Sequence, residues 1–238
     1  MNSFIVTCHG WSGSNWLSHV LNDHPDITCS HSARNILAKD VNMQSNKELK
    51  HNIHQLHKGY ADRQNQSIDE VYKQIKQMGK TEFYGSVHVL RQRDIPVIYE
   101  IFGKTETTFN VINLIRNPID LVWSGYGQFK DLFKYDINEL YWTLKKIIDN
   151  SKEFIHDIGI KYNLNIGEIE NLAFVGAASV LLSLKNDADA EAKISSIPNI
   201  NYKGHIQMEK LTTDKKYFKD FLLKITDKKI KLPESYID

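Results

Sequence analysis

The stretch that most constrains this chain is residues 3–17, SFIVTCHGWSGSNWL. Phe4, Ile5, Val6 and Thr7 form an apolar, β-branched run, which predicts a strand. Gly10-Trp11-Ser12-Gly13-Ser14-Asn15 is rich in small residues and predicts a tight loop. Trp16, Leu17, Val20 and Leu21 then recur at helical spacing. Strand, loop and helix in this order bring backbone N–H groups and the positive end of a helix dipole together. That arrangement binds a phosphate or another oxyanion. Gly10 and Gly13 let the backbone come close to such a ligand, and Ser12 and Ser14 add hydroxyls. The plainer reading is a strand–helix turn whose small residues serve packing alone.

An ATP or GTP phosphate loop needs G-x-x-x-x-G-K-[ST], with Lys on the outer phosphates. No Lys occurs between Met1 and Leu37, which disfavours an ordinary kinase or NTPase. Net charge is +1, so no basic excess points to nucleic acid, although a local anion pocket is compatible with it. Cys8 and Cys29 are too few for a disulfide scaffold and read as small buried residues. The N-terminus has no secretory leader pattern, and no apolar run reaches membrane-spanning length. A soluble, cytoplasmic protein is therefore expected. With 238 residues the chain reads as a single α/β domain, with a helical insert over 40–80 and a polar, partly mobile tail over 226–238.

Further strands are predicted at 27–29, 83–90 and 109–115, and a last one at 205–211. Helices are predicted at 67–78, from 95 onward, at 137–162, at 168–185 and at 214–225, the last with Phe218, Phe221 and Leu222 inward. His51, His54 and His57 spread over one helix face and read as solvated rather than as metal ligands. His31 leaves the second strand and His88 lies near the end of the third, positions where α/β proteins place ligand contacts.

The second informative stretch begins at the end of strand 109–115. Arg116 leaves the strand, Asn117 suits an N-cap, Pro118 a first helical position and Asp120 the positive dipole end. Ser124 falls two turns into that helix, so Arg116 and Ser124 can grip one anion together. A capped helix with solvated Arg and Ser is the alternative.

Taken together, these loops resemble the PAPS-dependent sulfotransferases, where PAPS is 3′-phosphoadenosine-5′-phosphosulfate. Trp11-Ser12-Gly13-Ser14-Asn15-Trp16-Leu17 is similar to the family's 5′-phosphosulfate loop, K/R-S-G-T-T-W-L. Arg116-Asn117-Pro118, with Ser124 eight residues on, looks like its 3′-phosphate motif. Residues 21–27, LNDHPDI, look like bacterial and tyrosylprotein members. Gln207-Met208-Glu209-Lys210-Leu211, with Asp214 beyond, resembles a weaker C-terminal element, x-Y-E-D-L-x-x-D. The resemblance spans residues 3 to about 225 and implies a P-loop-type parallel sheet flanked by helices.

It also implies a site: PAPS on Trp11, Ser12, Gly13, Ser14, Asn15, Trp16, Arg116 and Ser124, with no metal. The sulfuryl group would pass to a hydroxyl or amine of a small-molecule or carbohydrate acceptor, and His88 or His31 would take the proton. Two departures stand out. Trp11 occupies the place of the family's Lys or Arg, and an indole is one weak neutral donor. The R-K-G-x-x-G-x-W loop of many cytosolic members is absent. Trp11 opens a second reading, a protein that binds PAPS or adenosine 3′,5′-bisphosphate with weak or no transfer. Acceptor and oligomeric state are not legible.

Overall fold

Five parallel strands form one sheet in the order β2-β3-β1-β4-β5. They are β1 (Ser3–Cys8), β2 (Ile27–His31), β3 (Phe83–Val87), β4 (Phe109–Ile115) and β5 (Ile200–Gln207). The structure is a computed structural model. It describes residues 1–31, 72–73, 76–77, 79–87, 105–133, 156–157, 160–161, 163, 165, 168–181, 184, 188, 191 and 193–236. Helices α1 (Ser14–Asn22), α2 (Pro118–Phe133), α3 (Ile169–Ala178), α4 (Met208–Thr213) and α5 (Lys215–Thr226) accompany the sheet. The chain divides into two compact units, Met1–Ile115 with Asp189–Asp238, and Arg116–Ala188. The expected α/β fold, a parallel sheet flanked by helices, is the fold observed.

Parallel strands are covered on both faces and so read as continuous apolar runs. All six residues of β1 are buried, as are Phe109 to Leu114 of β4. Phe4, Val6, Cys8, Ile112 and Leu114 face a core built with Leu17, Val20 and Leu21 of α1 and Phe218, Phe221, Leu222 and Ile225 of α5. Cys29 joins this core, and burial pushes its thiol well above the ordinary range. Both cysteines are free and buried, as expected. At the end of α1 the buried Asn22 copies a backbone pairing. Its amide donates to the Cys29 carbonyl at 2.6 Å and its oxygen accepts the Cys29 N–H at 2.8 Å, which locks α1 to β2.

The final strand differs from expectation. It runs Ile200–Gln207, and residues 208–211, expected in that strand, begin a helix instead. Among the described residues β5 bonds to β4 alone, and it carries polar residues, which hides its period in the sequence. The ladder is interrupted opposite Ile112. Val111 pairs with Tyr202 and Asn113 with His205, so Lys203 and Gly204 together oppose one residue. Gly204, at φ 80°, supplies the left-handed turn this bulge needs.

The tail also differs from expectation. Ile230, Leu232 and Tyr236 pack against the core. The Tyr236 ring stacks on Phe218 at 4.2 Å, and its hydroxyl donates to the Leu211 carbonyl. His24, 2% exposed, ties the tail down: its Nε2–H donates to the Lys231 carbonyl at 3.1 Å, while Nδ1 accepts the Asp26 N–H at 3.0 Å.

In the other unit α2 packs on α3, with Tyr126, Phe129 and Ile169 around Leu172 and Ala173. The calls on residues 40–71, from 95 to 102 and 137–155 lie outside the described residues.

Both His24 nitrogens are committed in the neutral form, and a proton on Nδ1 would face the Asp26 N–H. Burial lowers the folded-state pKa, against the opposing pull of Asp26 and the Lys231 carbonyl. The unfolded chain therefore binds this proton more readily, so stability should fall as pH drops below the ordinary value of 6.5. Urea midpoints from pH 7.5 to 5.5 should decline more steeply for the native chain than for His24→Gln. Parallel declines would remove the assignment.

Candidate functional site

In parallel α/β sheets, ligands bind outside the carboxyl ends of strands where neighbouring connections leave in opposite directions. Here β1 leads to β2 on one side of the sheet, and its neighbour β4 leads to β5 on the other. The switch point thus lies at the ends of β1 and β4, where Cys8 pairs with Leu114. The small-residue loop leaves β1 at this point, and Arg116 follows directly on Ile115, the last residue of β4.

Two left-handed residues shape the loop: Trp11 at φ 66° and Gly13 at φ 83°. Gly13 is also the N-cap of α1, and the Leu17 N–H donates to its carbonyl at 3.0 Å. The first-turn amides of α1 therefore point out of the helix end, with the positive end of its dipole behind them. Ser12 is 1% exposed within the loop. The buried hydroxyl that lacks a hydrogen-bond partner among the described residues is that of Ser30 in β2, next to His31.

Ser14, 5% exposed, opens α1, and its Oγ lies 3.0 Å from Nε2 of His31 at the end of β2. Two site residues predicted separately are thus brought together. Asn15 is exposed and Trp11 is partly buried. The Trp16 side chain turns away into the tail cluster, 6.3 Å from Phe218 and 6.4 Å from Tyr236, so its backbone N–H is what it offers a ligand. His88 lies outside the described residues, directly after Val87, the register partner of His31.

Arg116 lies just before α2 and Ser124 about two turns into it, both partly buried. Asn117 caps this helix as expected, its Oδ1 accepting the Ile119 N–H at 2.9 Å. Among the described residues no group of three or more His, Cys, Asp or Glu could hold a metal ion, and no helix is long and apolar enough to cross a membrane.

One contact escaped the sequence reading. A Cβ built on Gly13 would fall 2.4 Å from Cε of Met208, the first residue of α4. The C-terminal element that resembles x-Y-E-D-L-x-x-D thus touches the loop through Met208. Met208 touches Gly13, Leu211 is fully buried, and Asp214 caps α5 by accepting the N–H groups of Lys216 and Tyr217 at 2.8 and 3.0 Å. Asp214, spaced ahead of an apolar helix, is the one part of this arrangement with a local sequence signal.

Compared with known proteins, the chain matches no family model and no curated sequence.

Gly13→Ala should destabilise the fold by about 1 kcal/mol or more, because alanine at this φ is strained even after the flexible Met208 thioether moves aside. Urea unfolding checks this, and an unchanged midpoint would mean that the loop relaxes freely.

Proposed function

We propose that this protein is a sulfotransferase that moves a sulfuryl group from PAPS to the hydroxyl or amine of a small-molecule or carbohydrate acceptor. The observation that carries the reading is the left-handed loop at the head of α1, with Trp11 at φ 66° and Gly13 at φ 83°, following β1 at its carboxyl end. It supplies backbone donors where the 5′ end of a phosphosulfate nucleotide would need them. The motif resemblance of the loop and of Arg116-Asn117-Pro118 with Ser124 supplies the nucleotide.

In this mechanism Ser12 and the first-turn amides from Ser14 to Trp16 hold the phosphosulfate, with Trp11 and Gly13 setting the loop. Arg116 and Ser124 hold the 3′-phosphate, as a charge-assisted pair. The donor supplies a sulfuryl group on a phosphate leaving group. His88 takes the acceptor's proton as the new bond to sulfur forms and the bond to the bridging phosphate oxygen breaks. Adenosine 3′,5′-bisphosphate is the product. No metal is used, the protein is cytoplasmic, and neither nucleic acid nor membrane is a partner.

A second reading is favoured by one residue. Trp11 puts a neutral indole where the related loops carry a cation, and losing a preorganised donor of this kind costs on the order of a hundredfold in rate. The protein would then bind PAPS or its product and transfer slowly or not at all.

Calorimetry with adenosine 3′,5′-bisphosphate tests the shared core. The native chain should bind, and Arg116→Ala should bind about ten- to a hundredfold more weakly. No binding by the native chain would end both readings. Transfer separates them: Trp11→Lys should raise turnover of an enzyme, whereas product binding with no transfer by either form would leave a binding protein.

A further inference from the structure

Gly13 is under two constraints at once. Its φ of 83° lies in the left-handed region, and its Cα faces the Met208 thioether: a Cβ built there would fall 2.6 Å from Sδ and 3.1 Å from Cγ. Met208, the first residue of α4, therefore fills the space beside Gly13. Gly13 is also the N-cap of α1, and its carbonyl accepts the Leu17 N–H at 3.0 Å. Any shift of Gly13 moves that carbonyl and the first-turn amides with it.

Met208 is itself held in place. The N–H of Gln207, the residue before it, donates to the Tyr217 hydroxyl of α5 at 3.0 Å. Three residues on, Leu211 is buried, and its carbonyl accepts the Tyr236 hydroxyl. The Tyr236 ring lies 6.4 Å from the ring of Trp16, which stands on α1 three residues after Gly13. The contacts close a circuit: Gly13 to Met208, along α4 to Tyr236, and through Trp16 back to α1. The left-handed backbone of Trp11 stores strain that this circuit holds in check.

We propose that Met208 is a positioning residue for the loop. By filling the space beside Gly13 it keeps the loop in its anion-binding shape, so docking of α4 and binding of an oxyanion are reciprocally coupled. This rests on the reading of the loop as an anion site. Met208 brings no charge to the anion, so its effect is on the fraction of molecules whose loop is competent to bind. Linkage makes the coupling run both ways.

Inorganic sulfate is the probe for calorimetry, and amide exchange is a readout that needs no ligand. Met208→Ala should bind sulfate about tenfold more weakly than the native chain. Its Leu17 amide should quicken by a larger factor than the amide of Ile112, fully buried in β4, which follows global unfolding. Met208→Leu refills the space and should recover both. In the native chain, saturating sulfate should slow the Asp214 amide, which donates to the Lys210 carbonyl of α4 at 2.9 Å, by more than it slows Ile112. If Met208→Ala does not fold, Tyr236→Phe removes one hydroxyl from the circuit and should show the same two losses at about a few-fold. Native sulfate affinity in the folded variant, or no larger quickening at Leu17 than at Ile112, overturns the inference. A native chain that binds neither sulfate nor adenosine 3′,5′-bisphosphate overturns the loop reading instead, and the exchange of Leu17 then decides whether Met208 braces the loop.

Discussion

Everything in this fold follows from the backbone hydrogen bonding of β1 on both of its edges. β3 pairs with one side and β4 with the other, both in parallel, and no residue of β1 reaches solvent. A strand so enclosed can leave the sheet only at its end, and reaching β2 requires crossing over β3. Helix α1 makes that crossing with Leu17, Val20 and Leu21 pressed into the core. The loop ahead of α1 has no freedom of placement, because strand and helix are both fixed by burial. It lies at the sheet's carboxyl edge, where the connections from β1 and β4 leave in opposite directions.

The same enclosure explains what the sequence could reveal. β1 and β4 are buried on both faces, so their apolar runs are continuous; β4 has the expected limits, and β1 extends the expected run by one residue at each end. β5 has a neighbour on one side only and a glycine bulge within it, so its polar residues carry no usable period. The tail misled for a related reason. Its three anchoring residues, Ile230, Leu232 and Tyr236, are spaced among lysines and a proline, and no helix or strand organises them. Of the site, the Asn117 cap was legible because capping is local. The Ser14–His31 bond was not, because it depends on which strand lies under α1. Met208 against Gly13 depends on the chain's return through β5.

The C-terminal element takes on a physical meaning that its motif did not convey. Leu211 is buried, Asp214 caps the next helix, and the Tyr236 hydroxyl bonds the Leu211 carbonyl, so α4 is fixed from several directions. Met208, at its head, backs the left-handed Gly13. Trp16, three residues after Gly13, packs into the same aromatic cluster as Tyr236. The described contacts of this segment are thus with the structure that holds the loop in shape. The loop needs such support, since Trp11 adopts a left-handed backbone that a large side chain rarely takes.

Electrostatics decide how much such a loop can do unaided. A helix end offers about half an elementary charge, and its effect fades within a turn. A phosphosulfate or a phosphate carries more than that can balance, and residues 1–22 bring no Lys or Arg to supply the rest. Basic residues do stand at the ends of other strands. His31 closes β2, and Arg116 follows directly on β4. The two differ in kind, since guanidinium is permanently charged and imidazole is charged only when it takes up a proton.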